Sequence, residues 1–437
     1  MLTAALTVHR SSLIVHRSKG TMSSQIGYLA LLRRNKNFRR LWYGQIVSQL
    51  GDWFDSIALY AILYSLTGSG QAVGALLVAQ NLPSALVSLW AGVLIDRLPR
   101  RAVLIATDIG RGLLVLAFLF VHDPSQIWII YLVTVLKNVL TTFFEPARSA
   151  ITPSVTSREE LVAANGIAGV TWSAMLALGA AAGGLVVGFL GTEAAFVIDS
   201  ASFFLSAVLI LGVRVREDVA RPAQRTSGWS DVREGLSYLS RHRDVAIYTL
   251  TKGLWSLGAG VMVLLTIFGR EVFPLGKEGA LSMGLLYAAR GVGAGIGPLL
   301  AQRLGGDSAT FFRRALGPAF VLCALGYVLA GMSPLFLLAM LAVMTAHMGG
   351  SIQWVFSTTL IQIAAPREVL GRIFAVEFAC MTLASAASSY GFGVLHDAGW
   401  SAYDLSLLAA ALFALPGLAL FALLRRPPVA ERSLATD

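Results

Sequence analysis

Two aspartates, Asp52 and Asp55, stand three residues apart inside a long apolar run. In a helix that spacing puts both carboxylates on one face. Gln45, Gln49 and Ser56 extend the same polar stripe. Two cations lie equally deep in other apolar runs: Lys137, beside Asn138, and Arg290. An ionised side chain at the centre of a bilayer costs about 2.5–3.5 kcal/mol on the insertion scale, so each needs a partner or a water-filled cavity. The chemistry open to such a set is reversible proton binding, because two neighbouring carboxylates do not readily ionise together. Either acid can pair with Lys137 as a structural bridge while the other titrates. Asp52, Asp55, Lys137, Arg290 and Gln49 are therefore the expected proton-coupling or substrate-cavity residues.

A second group of charges lies nearer the ends of the apolar runs. Asp96 and Arg97 sit at the edge of one run, followed by Arg100 and Arg101. A carboxylate among three arginines in a tight loop can form a charge-assisted latch between helices. Asp108 and Arg111, one turn apart, are read as a structural pair or as gate partners of Asp96. Glu145, Arg148 and Glu377 complete this expected gate at the end facing the cytoplasm. Asp199 and Lys252 are also embedded in apolar runs, but nothing in their spacing assigns them a role. His347, alone in its run, is read as a hydrogen-bonded packing residue.

The elements that must hold these residues follow from composition. The chain has 437 residues, 56% hydrophobic and 13% charged, against about 45–50% and 25% for soluble domains. Its mean hydropathy is +0.70. Apolar segments run over 41–66, 72–95, 102–121, 126–147, 161–190, 194–213, 245–268, 280–301, 315–332, 335–359, 372–395 and 402–424. Each is long enough for a helix to cross a bilayer, which takes about 20 residues. They are too long and too uniformly apolar for the strands of a membrane barrel. Residues 161–166 are read as a helical lead-in to the fifth span. The expected fold class is all-α integral membrane, with twelve transmembrane helices.

Lysine and arginine set the orientation. Of the 34, 28 fall in the termini and loops on one side, 2 in the loops on the other, and the rest inside spans. That places both termini in the cytoplasm. It also explains the formal charge of +10 without nucleic acid. Residues 1–36 form a basic arm expected to be disordered, with Met1 or Met22 as the start. Residues 214–243 form a cytoplasmic linker between 37–213 and 244–425, and 426–437 a cytoplasmic tail. Within the linker, Trp229, Val232, Leu236 and Leu239 recur at helical spacing, which predicts an amphipathic helix at the membrane surface.

The two halves repeat at an offset of about 207. Gln49-Leu50-Gly51 matches Ser256-Leu257-Gly258, Asp96-Arg97-Leu98 lies near Gln302-Arg303-Leu304, and Ser157-Arg158-Glu159-Glu160-Leu161 lines up with Pro366-Arg367-Glu368-Val369-Leu370. A duplicated helical unit with a site between its copies is a common build of secondary transporters. No Gly-x-x-x-x-Gly-Lys-Ser/Thr motif points to ATP. Gly291-Val292-Gly293-Ala294-Gly295-Ile296-Gly297-Pro298 lies in an apolar helix and reads as a packing surface. Cys323 and Cys380 offer no metal spacing, and no catalytic constellation appears. The chain is read as a transporter without a cofactor, not an enzyme.

The stretch Gly92-Val93-Leu94-Ile95-Asp96-Arg97-Leu98-Pro99-Arg100-Arg101 resembles the loop signature of the major facilitator superfamily. Phe38-Arg39-Arg40-Leu41-Trp42, Ser48-Gln49-Leu50-Gly51-Asp52-Trp53, Asp108-Ile109-Gly110-Arg111, Pro146-Ala147-Arg148, Arg158 through Asn165, and Pro366-Arg367-Glu368 with Gly371-Arg372 resemble its enterobactin-exporter-like and macrolide-efflux-like branch. The resemblance covers roughly residues 33–425. It implies two pseudo-symmetric six-helix bundles, a cavity lined by spans one, four, seven, eight, ten and eleven, alternating access and proton-driven export. The four deep charges would meet in that cavity. The expected partners are a small amphipathic molecule of the drug or siderophore class, protons and the bilayer of a bacterial inner membrane, with the chain a monomer. The alternatives are an importer or lipid flippase of the same fold, or a ligand sensor that does not transport. The exporter signature Gly-Pro-x-x-Gly-Gly is altered here: Gly179-Ala180-Ala181-Ala182-Gly183-Gly184 lacks the proline, which leaves the direction of flux open.

Overall fold

An apolar run in lipid must satisfy its own backbone hydrogen bonds, and a helix does so within one segment. The computed structural model describes residues 28–95, 98–215 and 228–424, and all their regular structure is helical. In the N-terminal half these are α1 (Tyr28–Arg34), α2 (Lys36–Thr67), α3 (Gly70–Ile95), α4 (Arg100–Leu116), α5 (Ile127–Val155), α6 (Arg158–Ala174), α7 (Ala180–Leu190) and α8 (Thr192–Leu211). Helix α9 (Gly228–Arg241) stands between the halves. The C-terminal half holds α10 (Arg243–Ser256), α11 (Val261–Ile267), α12 (Ala280–Gly305), α13 (Ala309–Gly331), α14 (Phe336–Ala364), α15 (Arg367–Asp397) and α16 (Ala402–Leu424).

Ten helical stretches among the described residues are long and apolar enough to cross a membrane. Helices α2 and α3, of 32 and 26 residues, have spanning length as well, which completes the twelve expected. α6 and α7 form one span through a π-helical turn at Met175–Gly179, just before Ala180 stands in the proline position of the exporter signature. The lead-in to this span is itself helix. Ser157 caps α6, its Oγ accepting from the Glu160 N–H while Glu160 Oε2 accepts from the Ser157 N–H at 3.0 Å. Reciprocal capping of this kind fixes a helix start.

The duplication is visible in the packing. A Cβ on Gly51 of α2 would stand 2.1 Å from Ser202 Oγ on α8, the sixth span of its half. A Cβ on Gly258, 207 positions later, would stand 2.2 Å from the Phe413 ring on α16, the sixth span of the other half. Gly112 and Gly317 repeat the device between third and sixth spans, against Phe203 and Phe421.

The halves meet through small residues. A Cβ on Gly184 of α7 would lie 2.8 Å from Gly284 Cα on α12. One on Gly74 of α3 would lie 2.5 Å from the Ser389 carbonyl oxygen on α15. Both contacts fall in the half of the molecule away from the arginine-rich end, here called the far end. Gly293 and Gly297 press against the Met344 and Met348 carbonyls of α14, so the glycine run of α12 is a packing surface.

Two expectations change. Tyr28–Arg34, read as part of a disordered arm, is helical, with Leu31 fully buried among Ala163, Ala164 and Ile167 of α6; residues 1–27 lie outside the described residues. The amphipathic helix is present as α9, but its covered face is narrower than expected. Leu239 is buried whereas Leu236 is 53% exposed. A Cβ on Gly235 would lie 2.7 Å from the Arg372 carbonyl oxygen, and Glu234 pairs with Arg372 at 2.8 Å. Gly235 and Leu239, one turn apart, thus face α15, and Leu236 is rotated away. The Trp229 and Val232 side chains lie outside the described residues.

Candidate functional site

Helix α8 carries Asp199, Ser202 and Ser206 at steps of three and four residues, one helical face. The missing side chain at Gly51 lets that face meet α2 directly. The approach brings Asp199 into a cluster with Asp52 and Asp55 of α2, Asp108 and Arg111 of α4, and Lys137 of α5. Lys137 Nζ lies 3.0 Å from Asp52 Oδ1 and 3.5 Å from Asp199 Oδ2, and it donates a hydrogen bond to Asp55. Arg111 donates to Asp108 and reaches Asp52 Oδ2 at 4.0 Å. Ser206 donates to Asp108 at 2.7 Å. The Arg111 guanidinium is held between the Phe144 and Phe203 rings, 4.4 Å from each centroid, a cation–π arrangement that suits a desolvated arginine.

The cluster is unbalanced: four carboxylates face two cations. Asp108 and Asp199 are fully buried and the Asp55 side chain is 3% exposed, but that of Asp52 is 35% exposed. Asp55 Oδ1 has no hydrogen-bond partner among the described residues. A buried carboxylate is held ionised only by a partner or by added hydrogen bonds. The arrangement can therefore take up protons, and Asp52 is its most exposed acid.

Of the four deep charges expected to meet, three do. Arg290 is the exception. It lies on α12 in the other half, half-buried, with its guanidinium 5.9 Å from the Tyr287 ring centroid and no carboxylate partner among the described residues. Lys137 already occupies Asp52 and Asp55 from within their own half.

The expected gate residues divide. Asp96 and Arg97 lie outside the described residues. Arg100 donates to the Ala150 carbonyl at 3.3 Å, and Arg101 to the Ile210 and Leu211 carbonyls. The last two belong to the C-terminal turn of α8, where free carbonyls and the helix dipole favour a cation. Arg148 pairs with Glu145 at 2.7 Å and donates to Gln45 at 3.1 Å. These contacts stay within the N-terminal half. Asp108 and Arg111 belong to the buried cluster. Glu377, expected at the gate, is buried and bonded to Lys252 at 2.9 Å, with Lys252 4.5 Å from the Trp354 ring centroid. Asp199 and Lys252 are thus the residues that sequence reasoning left without a role; the Asp199/Ser202/Ser206 stripe was the signal for the first. His347 is buried and bonded to the Tyr327 hydroxyl at 2.9 Å, in keeping with a packing role.

At the far end the halves are joined by polar contacts. Asp397, the last residue of α15, accepts from the backbone N–H groups of Gly70 at 2.7 Å and Gln71 at 3.2 Å. A side chain of one half thus caps a helix of the other. Beside it, His396 Nε2 lies 3.2 Å from Glu271 Oε1, which also accepts from the Tyr64 hydroxyl.

A family model described as Major Facilitator Superfamily matches residues 41–389. BacE of Bacillus subtilis (strain 168), named as a bacilysin exporter, is 24% identical over 363 residues, covering 82% of this chain and 88% of that protein. Macrolide efflux protein A of Streptococcus pyogenes is 23% identical over 358 residues, covering 79% and 86%. The crystal structure of the nucleoside transporter NupG superposes with a TM-score of 0.69 at 12% identity, covering 90% of this chain and all of that one. With the duplicated six-span halves and the matched length, these likenesses identify the chain as a membrane transporter, not an enzyme, that belongs to the Major Facilitator Superfamily.

Proposed function

We propose that the chain exports a small amphipathic molecule in exchange for protons, and that the Asp52/Asp55/Asp108/Asp199 cluster is where the protons bind. The observation that carries this reading is the surplus of two carboxylates over Lys137 and Arg111 in a buried site. A proton neutralises a surplus carboxylate without requiring another buried cation. Asp52 touches Lys137 and comes within 4.0 Å of Arg111, and its exposure gives the cluster access to protons and substrate. Loss of a proton from the cluster strengthens its attraction for a cationic group, and binding of that group expels the proton. This reciprocal linkage is what exchange requires.

The efflux names of BacE and macrolide efflux protein A favour outward flux. The predominance of basic residues at one end favours cytoplasmic termini in a bacterial plasma membrane. The intra-half contacts of Arg100, Arg101, Glu145 and Arg148 suit a gate whose parts move as one body with the N-terminal half. The functional unit is read as the monomer.

The test is uphill accumulation of an amphipathic fluorescent cation in inverted vesicles bearing an imposed pH gradient. The parent is expected to accumulate it. Asp52→Asn, Asp55→Asn and Asp199→Asn are each tested, and at least one is expected to bind the dye with no gradient-driven accumulation. Accumulation at the parental level in all three, and in the quadruple variant that adds Asp108→Asn, would place the proton site elsewhere. If the parent itself does not accumulate the dye, proton-driven export of this class is rejected.

A further inference from the structure

We propose that the transported molecule is a zwitterion with well-separated charges, its anionic group read by Arg290 and its ammonium by Asp52. The proposal rests on the reading of the chain as an exporter loaded between its two halves, and it names the substrate class.

Arg290 carries five N–H donors, yet it has neither a carboxylate nor a hydrogen-bonded acceptor among the described residues. It stands ten residues into the 26-residue α12, too far from either end to be a simple interfacial anchor. Its direction follows from the helix. Val292, Ile296 and Leu299 are 41%, 45% and 62% exposed and mark the outer, lipid-side face of α12. At about 100° per residue they lie on the opposite side from Arg290. Tyr287 and Gly293 flank the Arg290 direction. Tyr287 meets Trp53 and Tyr60 of α2, with ring centroids 6.0 and 5.7 Å away, and Gly293 meets α14. Arg290 thus points inward, between α2 and α14, as an uncompensated cation inside the bilayer. Such a charge is costly unless something neutralises it.

The opposite pole is on α2. Trp53 and Tyr60 face α12, and Asp52, Gln49 and Ser56 occupy the adjoining inward face. Asp52 is the exposed acid of a cluster with surplus negative charge, and Gln49 Oε1 has no partner among the described residues. One wall of the interior therefore offers an exposed acid, with the unpartnered Gln49 Oε1 buried beside it, and the facing wall offers an arginine with unused donors. Complementary potentials of this kind select the charge pattern of a ligand.

The Tyr60–Tyr287 stack fixes the register of the two helices, which run in opposite directions. Asp52 lies eight residues from Tyr60 and Arg290 three from Tyr287, both toward the arginine-rich end. At 1.5 Å per residue their Cα positions differ by about 7–8 Å along the axis, and side chains lean toward the N-terminus of their own helix, which in antiparallel helices carries the two charges further apart. That spacing suits a dipeptide-sized zwitterion better than an α-amino acid, whose charges are held on one carbon.

The test measures binding to the purified full chain in nanodiscs, by calorimetry, without a proton gradient. The probes are alanyl-phenylalanine with free termini, its C-terminal amide and its N-acetylated acid. The parent is expected to bind the free dipeptide about tenfold tighter than either capped form. Arg290→Gln should bring the free dipeptide down to the level of the amide and leave the amide unchanged, and Arg290→Lys should restore part of the preference. Asp52→Asn should erase the preference over the acetylated acid. Equal binding of all three probes by the parent, no binding of any, or an equal loss of all three in Arg290→Gln would overturn the proposal. Because no gradient is applied, failure here is separable from failure of proton coupling, which the dye experiment reads on its own.

Discussion

Gly51 and Gly258 serve the same packing purpose in two halves that use it differently. Each glycine lets the first span of its half lie directly on the sixth. In the N-terminal half the contact admits Asp199 and builds a network of four acids and two bases. In the C-terminal half the facing residue is Phe413, and the contact is apolar. The buried charges there, among the described residues, are held one to one, Lys252 with Glu377 and Arg313 with Asp244, while Arg290 stands without a carboxylate. One scaffold thus carries an electrostatically unfinished site on one side and a nearly neutral frame on the other. Duplication preserved the backbone contacts and left the chemistry free to diverge.

The largest effects should come from breaking the contact that assembles the cluster. Gly51→Val places a branched side chain where a single Cβ already meets Ser202 Oγ at 2.1 Å and Asp199 Oδ1 at 2.3 Å. Both neighbours are held in the buried network, so folded protein should be lost. Gly295→Ala, with nothing within 4 Å of the added Cβ, should be silent. Yield and melting temperature after extraction measure both.

Next in size is the contrast between the two lysines. Removing one partner of a buried ion pair costs about 3–5 kcal/mol, whereas replacing both with apolar residues is often neutral. Lys252→Met should destabilise, and adding Glu377→Leu should recover most of the loss. Lys137→Met should destabilise at least as much, and no single change among Asp52, Asp55 and Asp199 should rescue it, because two acids remain. Thermal melts of the single and double variants measure this. Full rescue of Lys137→Met by one neutralised aspartate would erase the distinction between the halves.

The far-end join is weaker. Asp397→Ala removes a cap worth about 1 kcal/mol and should shift the population toward far-end opening. Faster labelling of a cysteine placed at Gln71 would report it, and an unchanged rate would remove Asp397 from the join. The smallest effect concerns α9. Leu239→Asp should expose the segment to protease, whereas Leu236→Asp, on the exposed face, should not. Equal cleavage of the two variants would show that α9 is not docked through its Gly235/Leu239 face.

Much of this was legible in the sequence because a bilayer imposes simple rules. The spans follow from apolar length, and the Lys137 partnership with Asp52 and Asp55 follows from the cost of isolated charge in lipid. The two halves follow from the Gln49-Leu50-Gly51 and Ser256-Leu257-Gly258 match. The rest depended on which helices touch. Asp199 is one acid in an apolar span until Gly51 is seen to admit α8. Asp108 and Arg111 do form the pair that their spacing suggests, but their further contacts with Ser206 and Asp52, and that of Glu377 with Lys252, lie on other helices and could not be read from position along a span. Arg290 was grouped with the acids by its depth and by the cavity lining that the resemblance implies, whereas it stands in the opposite half, beside Tyr287 of its own helix.

The central claim is that the N-terminal cluster holds protons that the C-terminal half does not. Infrared difference spectroscopy on the purified full chain across a pH step reads the C=O stretch of protonated carboxyl groups directly, with no substrate required. The account predicts a titrating carboxyl band in the parent that is reduced in Asp52→Asn, Asp55→Asn or Asp199→Asn and unaffected in Glu377→Gln. A parental spectrum without such a band, or a band lost only in Glu377→Gln, would contradict it.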